Sequence, residues 1–399
     1  MIQSLAIFST ALLASGLLVR LALADLPIQS QARIIALLSI LVVLTSAYAT
    51  YISKHWTPYR AVQFYGQRIL NKVLALGLGW LAVVCFAALG TRINIAPSTI
   101  FFDDFFWCSP ALLVLLPAYV MLAERVSTVA EDAHSSFGAF VRRRGPWISA
   151  EHKTLILGWL VKAFFLPLMY GGLVLTISEL LELGVLPNPN NWVKWFALVG
   201  LSIDLVVATT GYLSTSRIFN AEIRSVDETL AGWASCLVCY APFIYYVHIV
   251  TAQRDAIVWN DWLQPEQPLY WIWASLLVCS WGVYWLSSIA LGLRFSNLTY
   301  RGLVERGPYK YLKHPAYVSK NIYWWLYTVP LVGVHSATDV AANLGGMSAL
   351  SLIYYFRAKT EERHLMRYAE YAEYAARIEQ RSIRARLQHW YGRFSRASS

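Results

Sequence analysis

Two short stretches near the carboxy terminus hold residue types that together can grip a ligand of mixed charge. The first reads GPYKYLKHPAY, from Gly307 to Tyr317, and the second reads RAKTEE, from Arg357 to Glu362. His314-Pro315 has the pattern of a helix start, because proline at the first helical position sacrifices no hydrogen bond and presets φ. The free amides of residues 316 to 318 at such an end attract an anion. Gly307-Pro308 permits a tight turn that returns Tyr309 and Tyr311 toward this end, and Lys310 and Lys313 raise the local positive potential. In the second stretch Arg357 and Glu361 are one helical turn apart and Glu362 adjoins them. Amide donors on one wall and paired carboxylates on another suit a zwitterionic guest.

The elements that must bring these stretches together are membrane helices. Of 399 residues, 57% are hydrophobic and only 14% charged, with 17 tryptophans and 24 tyrosines, which is far from a soluble domain. The formal charge of +10 is split among short segments between apolar runs, so it reports membrane orientation and not a nucleic-acid surface. The expected fold is all-α, a polytopic membrane bundle. About ten segments approach the ~20 apolar residues of a span: 3–24, 33–53, 70–90, 105–123, 154–178, 192–214, 232–252, 268–293, 315–335 and 339–357. The first ends in Ala22-Leu23-Ala24, a small-residue site of the kind signal peptidase cuts, but no basic residue precedes the apolar run, so it is read as a retained span.

Lysine and arginine orient the spans. Lys54, Arg60 and Arg68, then Arg125, Arg142, Arg143, Arg144 and Lys153, then Arg217 and Arg224 fall in alternate loops. Arg294 to Lys320 and the tail from Arg357 fall on the same side. By the positive-inside rule this side and both termini are cytoplasmic. The opposite loops carry little beyond Arg92 and Arg254. Trp192, Trp195, Trp259, Trp262, Trp271 and Trp273 sit near segment ends as an interfacial belt. The loop from Glu124 to Lys153 contains a short helix expected to lie on the membrane surface. Five cysteines, Cys85, Cys108, Cys236, Cys239 and Cys279, lie in or beside apolar runs; their number is odd, the CxxC spacing of Cys236 and Cys239 has no second pair or nearby histidine cluster to complete a zinc site, and all five read as packing residues. Two intramembrane charges, Lys162 and Asp204, are placed at similar depth by helix rise and are expected to pair. His248 reads as an interfacial histidine.

S-adenosylmethionine carries a carboxylate, an ammonium, a sulfonium and ribose hydroxyls, and fits the mixed-charge pocket. No GxGxxG or GxxxxGK[ST] unit is present, so Rossmann and P-loop cofactor sites are not indicated. GPYKYLKHPAY, followed about forty residues later by RAKTEE and a tyrosine-rich helix, resembles the isoprenylcysteine carboxyl methyltransferase and phospholipid methyltransferase families. The resemblance implies an integral membrane enzyme that binds S-adenosylmethionine at the cytoplasmic end of a carboxy-terminal helix hairpin. Its pattern falls on Gly307, Tyr309, Lys313, His314, Pro315 and Tyr317, and on Arg357, Glu361 and Glu362. Lys313 stands where arginine is usual, which keeps the charge but loses bidentate geometry. Eight preceding spans also exceed what small family members carry.

On this reading Tyr309, Lys313, His314, Pro315, Tyr317, Glu361 and Glu362 hold the cofactor. Arg357 orients a carboxylate acceptor, or Glu362 serves as base for an amine acceptor. Tyr323, Trp324, Trp325 and Tyr327 hold the acceptor's lipid tail. The chain then divides into a membrane bundle of about eight spans (1–293), a methyltransferase-like hairpin domain (294–380) and a basic tail (381–399). An amphipathic helix from Thr360 to about Gln380, with Leu365, Tyr368, Ala372, Ala375 and Ile378 as its apolar stripe, lies over the cofactor or on the membrane. The partners are the bilayer and a lipophilic or lipidated substrate, with no metal and no nucleic acid, and a bacterial inner membrane is favoured over endoplasmic reticulum.

Plainer readings remain open residue by residue. His314 can simply cap a helix beside lipid headgroups, Tyr309 and Tyr317 can be belt tyrosines, and Arg357 with Glu361 can be a solvated ion pair of small value. For the whole chain the rivals are a nicotinamide-dependent membrane reductase of the sterol type, and a non-catalytic lipid receptor or transporter. Binding of S-adenosylhomocysteine against NADPH separates them.

Overall fold

The computed structural model describes residues 2–55, 66–126, 132–184, 186–216, 219–255 and 257–381. Arg60, Arg217 and the tail beyond Arg381 therefore lie outside the described residues, as do the side chains of Lys54 and Arg125. The chain forms two compact units. One comprises Ile2–Glu228 with Gly292–Gly302, and the other comprises Thr229–Leu291 with Leu303 onward.

Among the described residues the amino-terminal unit contains eight α-helices, α1 (Ile2–Ala22), α2 (Ile28–His55), α3 (Gly66–Arg92), α4 (Ala96–Phe105), α5 (Ser109–Val126), α6 (Ala133–Val141), α7 (Ser149–Leu183) and α8 (Trp192–Leu213). Helix α7 is its axis, packed by α8, α3, α4 and α2. Its close approaches use glycine, since a Cβ at Gly171 would lie 2.0 Å from the Pro97 carbonyl oxygen. Helix α6, in the loop read as a membrane-surface segment, packs against α3, with Gly138 set directly on the Asn71 backbone. Two two-residue strands, β1 (Ser225–Val226) and β2 (Thr299–Tyr300), pair antiparallel and return residues 292–302 to this unit.

The expected Lys162–Asp204 pair does not form, and the helix register explains why. Phe165 stacks on Tyr212 at 5.7 Å and 4°, and Leu205 lies against Gly172. Lys162 is thereby level with the end of α8 near Ser214. Asp204 is about three turns further along, an axial separation of roughly 16 Å. The depth agreement read from the sequence assumed a later start for α7 than Ser149.

The carboxy-terminal unit contains α9 (Leu230–Leu237), α10 (Phe243–Thr251), α11 (Trp259–Trp262), α12 (Pro268–Leu291), α13 (Pro315–Thr328), α14 (Ala337–Leu365) and α15 (Ala369–Gln380). Helix α13 packs on α12 and turns back into α14, against which α9 and α10 also pack. The turn is pinned by Asn343, which is fully buried. Its amide donates to Asp255 Oδ2 at 3.0 Å and to the Pro330 carbonyl at 3.2 Å, and its oxygen accepts from the Arg254 N–H at 2.8 Å.

The fold is all-helical apart from the β1–β2 pair, but ten spans are not reached among the described residues. Five helices are long and apolar enough to cross a bilayer, namely α2, α3, α7, α8 and α12, and a sixth span results if α4 and α5, bent by 68°, count as one. Segment 232–252 is broken between α9 and α10, where Pro242 cannot continue a hydrogen-bonded turn. Segment 315–335 stops at Thr328, because Val329 turns left-handed (φ 38) ahead of Pro330. Segment 339–357 is continuous within α14, but Asp339, Asn343 and the charged end from Arg357 dilute it.

Candidate active site

The site residues converge at one end of the α13–α14 hairpin. Gly307 adopts φ 64, a left-handed conformation that only glycine takes without strain, and opens a short 3-10 turn through Lys310. His314 is then the residue before α13 and Pro315 its first residue, as the sequence predicted. The turn carries Tyr309 inward, but not Tyr311, which is 77% exposed. The carbonyls of Tyr309 and Leu312 both accept from the Tyr374 hydroxyl, at 2.7 and 3.2 Å, so α15 is fastened to this loop.

Lys313 joins three elements. Its ammonium pairs with Glu362 of α14 and with Glu379 of α15, the latter at 2.6 Å, and Lys359 reaches Glu362 at 3.2 Å. Burial alone would raise the Glu362 carboxyl, but the hydrogen bonds and charges of Lys313 and Lys359 outweigh it and hold the group below its ordinary value. Burial likewise opposes the charge on Lys313, and the two carboxylates outweigh it and raise that ammonium.

Glu361 is engaged by Tyr317, whose hydroxyl donates to Oε2 at 2.6 Å, and not by Arg357. Arg357 is buried, 7% exposed, with its guanidinium 5.1 Å from the Tyr317 ring centroid and 5.4 Å from that of Tyr240. It also donates to the Tyr240 hydroxyl at 3.3 Å. The expected solvated ion pair is thus replaced by a cation held between two aromatic faces. Tyr317 extends the stack, lying nearly parallel to His314 (5.7 Å, 16°) and to Tyr354 (6.4 Å, 18°).

Two buried polar atoms in this cluster have no hydrogen-bond partner among the described residues, His314 Nε2 and the Tyr371 hydroxyl. Buried polar groups are ordinarily satisfied, so such atoms mark places where a ligand can complete the structure. Burial lowers the His314 imidazole, against the pull of Glu361 and Glu362, and so favours its neutral form. Burial, reinforced by the nearby Glu361 and Glu362 charges, raises the Tyr371 phenol, which stays protonated as a donor. Helix α15 roofs this end with Tyr371, Tyr374, Ala375 and Ile378 packed on Leu303, Leu365 and Tyr368. The tyrosines fill the stripe where Ala372 was expected, because the chain breaks after Leu365 and α15 starts afresh at Ala369.

The four aromatic residues expected to hold a lipid tail divide between two faces of α13. Tyr323 packs on Trp281 of α12 at 4.5 Å and stacks on Tyr327 at 5.7 Å. Trp324 and Trp325 instead turn to α14, donating to the Tyr354 hydroxyl at 3.2 Å and to Ser351 Oγ at 3.0 Å. Trp324 still touches Tyr323 and Tyr327 edge-on, at 5.5 and 5.9 Å, so three of the four rings are in contact. Sequence reasoning missed Tyr240, Tyr354 and Tyr371. Tyr354 is one turn before Arg357 on the same helix face and was accessible from periodicity, whereas nothing in the sequence ties Tyr240 to Arg357.

Residues 273–367 match the model of the isoprenylcysteine carboxyl methyltransferase family. No curated protein and no solved structure matches the chain. The matched stretch includes the motif residues from Gly307 to Glu362, and stops before α15 and after α9 and Tyr240. The site described above therefore lies within an isoprenylcysteine carboxyl methyltransferase-like region, in a chain with several helices long and apolar enough to cross a membrane.

Proposed function

We propose that the carboxy-terminal unit transfers a methyl group from S-adenosylmethionine to a carboxylate on a lipophilic acceptor that enters from the bilayer. The observation that carries this reading is the aromatic stack of His314, Tyr317 and Tyr354 set beside Arg357, Glu361 and Glu362, with His314 Nε2 and the Tyr371 hydroxyl left for a guest to satisfy. The residues present fit a flat base, an ammonium and hydroxyl groups at once. Glu361 and Glu362 offer acceptors, the α13 amides and Tyr371 offer donors, and the tyrosine faces offer a stacking surface.

Bound there, S-adenosylmethionine supplies an already electrophilic methyl group. The protein's own work is alignment and exclusion of water. A carboxylate acceptor is ionised at neutral pH and needs no base. Arg357, fixed flat between Tyr240 and Tyr317, can hold that carboxylate by charge-assisted hydrogen bonds, while α15 covers the site. The lipid tail lies along the aromatic residues of α13 that remain partly exposed, Trp324, Trp325 and Tyr327.

Calorimetry of the purified protein with S-adenosylhomocysteine tests this, with NADPH as the comparison ligand. The wild type is expected to bind S-adenosylhomocysteine and not NADPH, and Glu361→Ala and Glu362→Ala to weaken binding at least tenfold. Equal heats from wild type and both variants would remove the paired carboxylates from the site. Transfer of a labelled methyl group to a small prenylated cysteine with a free carboxylate, against its amide, tests the acceptor.

A further inference from the structure

The amino-terminal unit buries a cation that the methyl-transfer reading does not use. Lys162 lies inside the span α7 and is 9% exposed. Its ammonium sits 4.1 Å from the centroid of the Trp159 ring. No carboxylate among the described residues is within ion-pair distance of it. Glu124 is taken by Arg68 and Lys72, Asp132 by Lys72 at 2.8 Å, and Asp204 is three turns away by register. His134, whose ring stands 6.5 Å from Trp159, is pushed down to about 4 chiefly by burial and is neutral. A charge within a span ordinarily finds a counter-charge or a wet cavity.

Three further observations give the place a sign. The charged group acting on Lys162 is another cation, Arg301, itself 3% exposed. Arg301 spends its donors on the carbonyls of Ala221, Gly211, Phe295 and Ser214, so it fixes a loop and adds positive potential. Beside Lys162, Trp159 Nε1 is a buried donor without a partner, and Ser216 Oγ, in the loop after α8 that Arg301 fixes, is buried and unpartnered too. An ammonium, an indole N–H and a hydroxyl in an apolar setting are the complement of a negative group with an apolar body attached.

We propose that Lys162, Trp159 and Ser216 form an anion site that takes the acidic group, phosphate or carboxylate, of a membrane-soluble molecule. The level of the site agrees with this. It stands at the end of α8, within about one turn of the boundary of a span, which is where headgroup phosphates lie. The inference is independent of the carboxy-terminal site and of its cofactor.

The test uses the full chain, purified and delipidated, with wild type, Lys162→Met and Lys162→Arg compared by native mass spectrometry and thermal melting. Added ligands are phosphatidylglycerol, phosphatidylcholine, oleate and inorganic phosphate. The wild type and Lys162→Arg are expected to retain phosphatidylglycerol or oleate over phosphatidylcholine, with roughly tenfold weaker retention in Lys162→Met. Stabilisation by inorganic phosphate alone, lost in Lys162→Met, would support the anion site and assign it to a free anion instead of a lipid. Equal retention of anionic and zwitterionic lipid, or equal retention by wild type and Lys162→Met, overturns the proposal. Should Lys162→Met fail to fold, Trp159→Phe keeps the ring and removes the donor, and unchanged anion binding in that variant overturns it as well.

Discussion

Replacing Tyr317 by phenylalanine separates the two tasks of that side chain. The hydroxyl donates to Glu361 at 2.6 Å, and the ring carries Arg357 at 5.1 Å and His314 at 5.7 Å. Phenylalanine deletes the first and keeps the second. A hydrogen bond to a charged group is worth about 1.5–3 kcal/mol. If that bond aims Glu361 at the ligand, S-adenosylhomocysteine affinity in Tyr317→Phe falls roughly 10- to 100-fold. Tyr317→Leu also loses the cation–aromatic contact and the stack, about 0.5–2 kcal/mol for the former, so it is expected to fall roughly threefold to thirtyfold further. Titration calorimetry gives the affinities, and melting temperature taken in parallel reports how much of each loss is stability. If Tyr317→Phe lowers the melting temperature and leaves affinity unchanged, the Tyr317–Glu361 bond is only structural and the proposed role of Glu361 is wrong. Equal losses in Phe and Leu would show that the ring is not used.

Arg357→Lys replaces a plane that lies between two rings with a point charge, and is expected to lower kcat/KM for the lipid acceptor roughly 10- to 100-fold while cofactor affinity stays within about threefold. Full activity in steady-state assays contradicts the orienting role of the guanidinium. Glu362 is held below its ordinary 4.5 and Lys313 above its ordinary 10.5. The Lys313–Glu362 pairing of the loop with α14 is therefore complete above pH 4.5 and lost as the pH falls through the depressed Glu362 value; at the other end it is complete below pH 10.5 and lost as the pH rises through the elevated Lys313 value. Hydrogen exchange of the amides at the start of α13 and the end of α14 across these windows reads it, and protection already lost by pH 5 would refute the pairing. Asn343→Ala strips partners from Asp255, Pro330 and Arg254 in a buried turn, and is expected to cost about 2–4 kcal/mol in unfolding measurements. A loss below about 0.5 kcal/mol would show that these groups find other partners.

What could be read without coordinates followed local rules. His314-Pro315 opens α13 because proline is at home in the first helical turn, and Gly307 takes the one backbone conformation that its neighbours cannot. The meeting of Lys313 with Glu362 and of Tyr317 with Glu361 followed from placing two motifs at one end of a hairpin. Hydropathy located most helices but not their ends. The break at Pro242 and the left-handed Val329 both fall inside apolar runs that average well. The depth of Lys162 against Asp204 failed for the same reason, since an error of a few residues in the start of α7 shifts a partner by several ångströms. Tyr240 was not legible at all, because its meeting with Arg357 is a tertiary contact 117 residues apart in the chain.

Helix α13 has 14 residues and so a length near 21 Å, whereas a typical hydrocarbon slab is about 30 Å deep. Set across a bilayer it would stop short of the far side, and Asn343 and the Val329 carbonyl accept or supply hydrogen bonds at the turn that follows it, as a turn inside lipid would require. A helix this short would draw the surrounding leaflets together, with a strain that grows with the length of the fatty acids in the host membrane. Turnover should therefore track bilayer thickness, fastest in short-chain lipids.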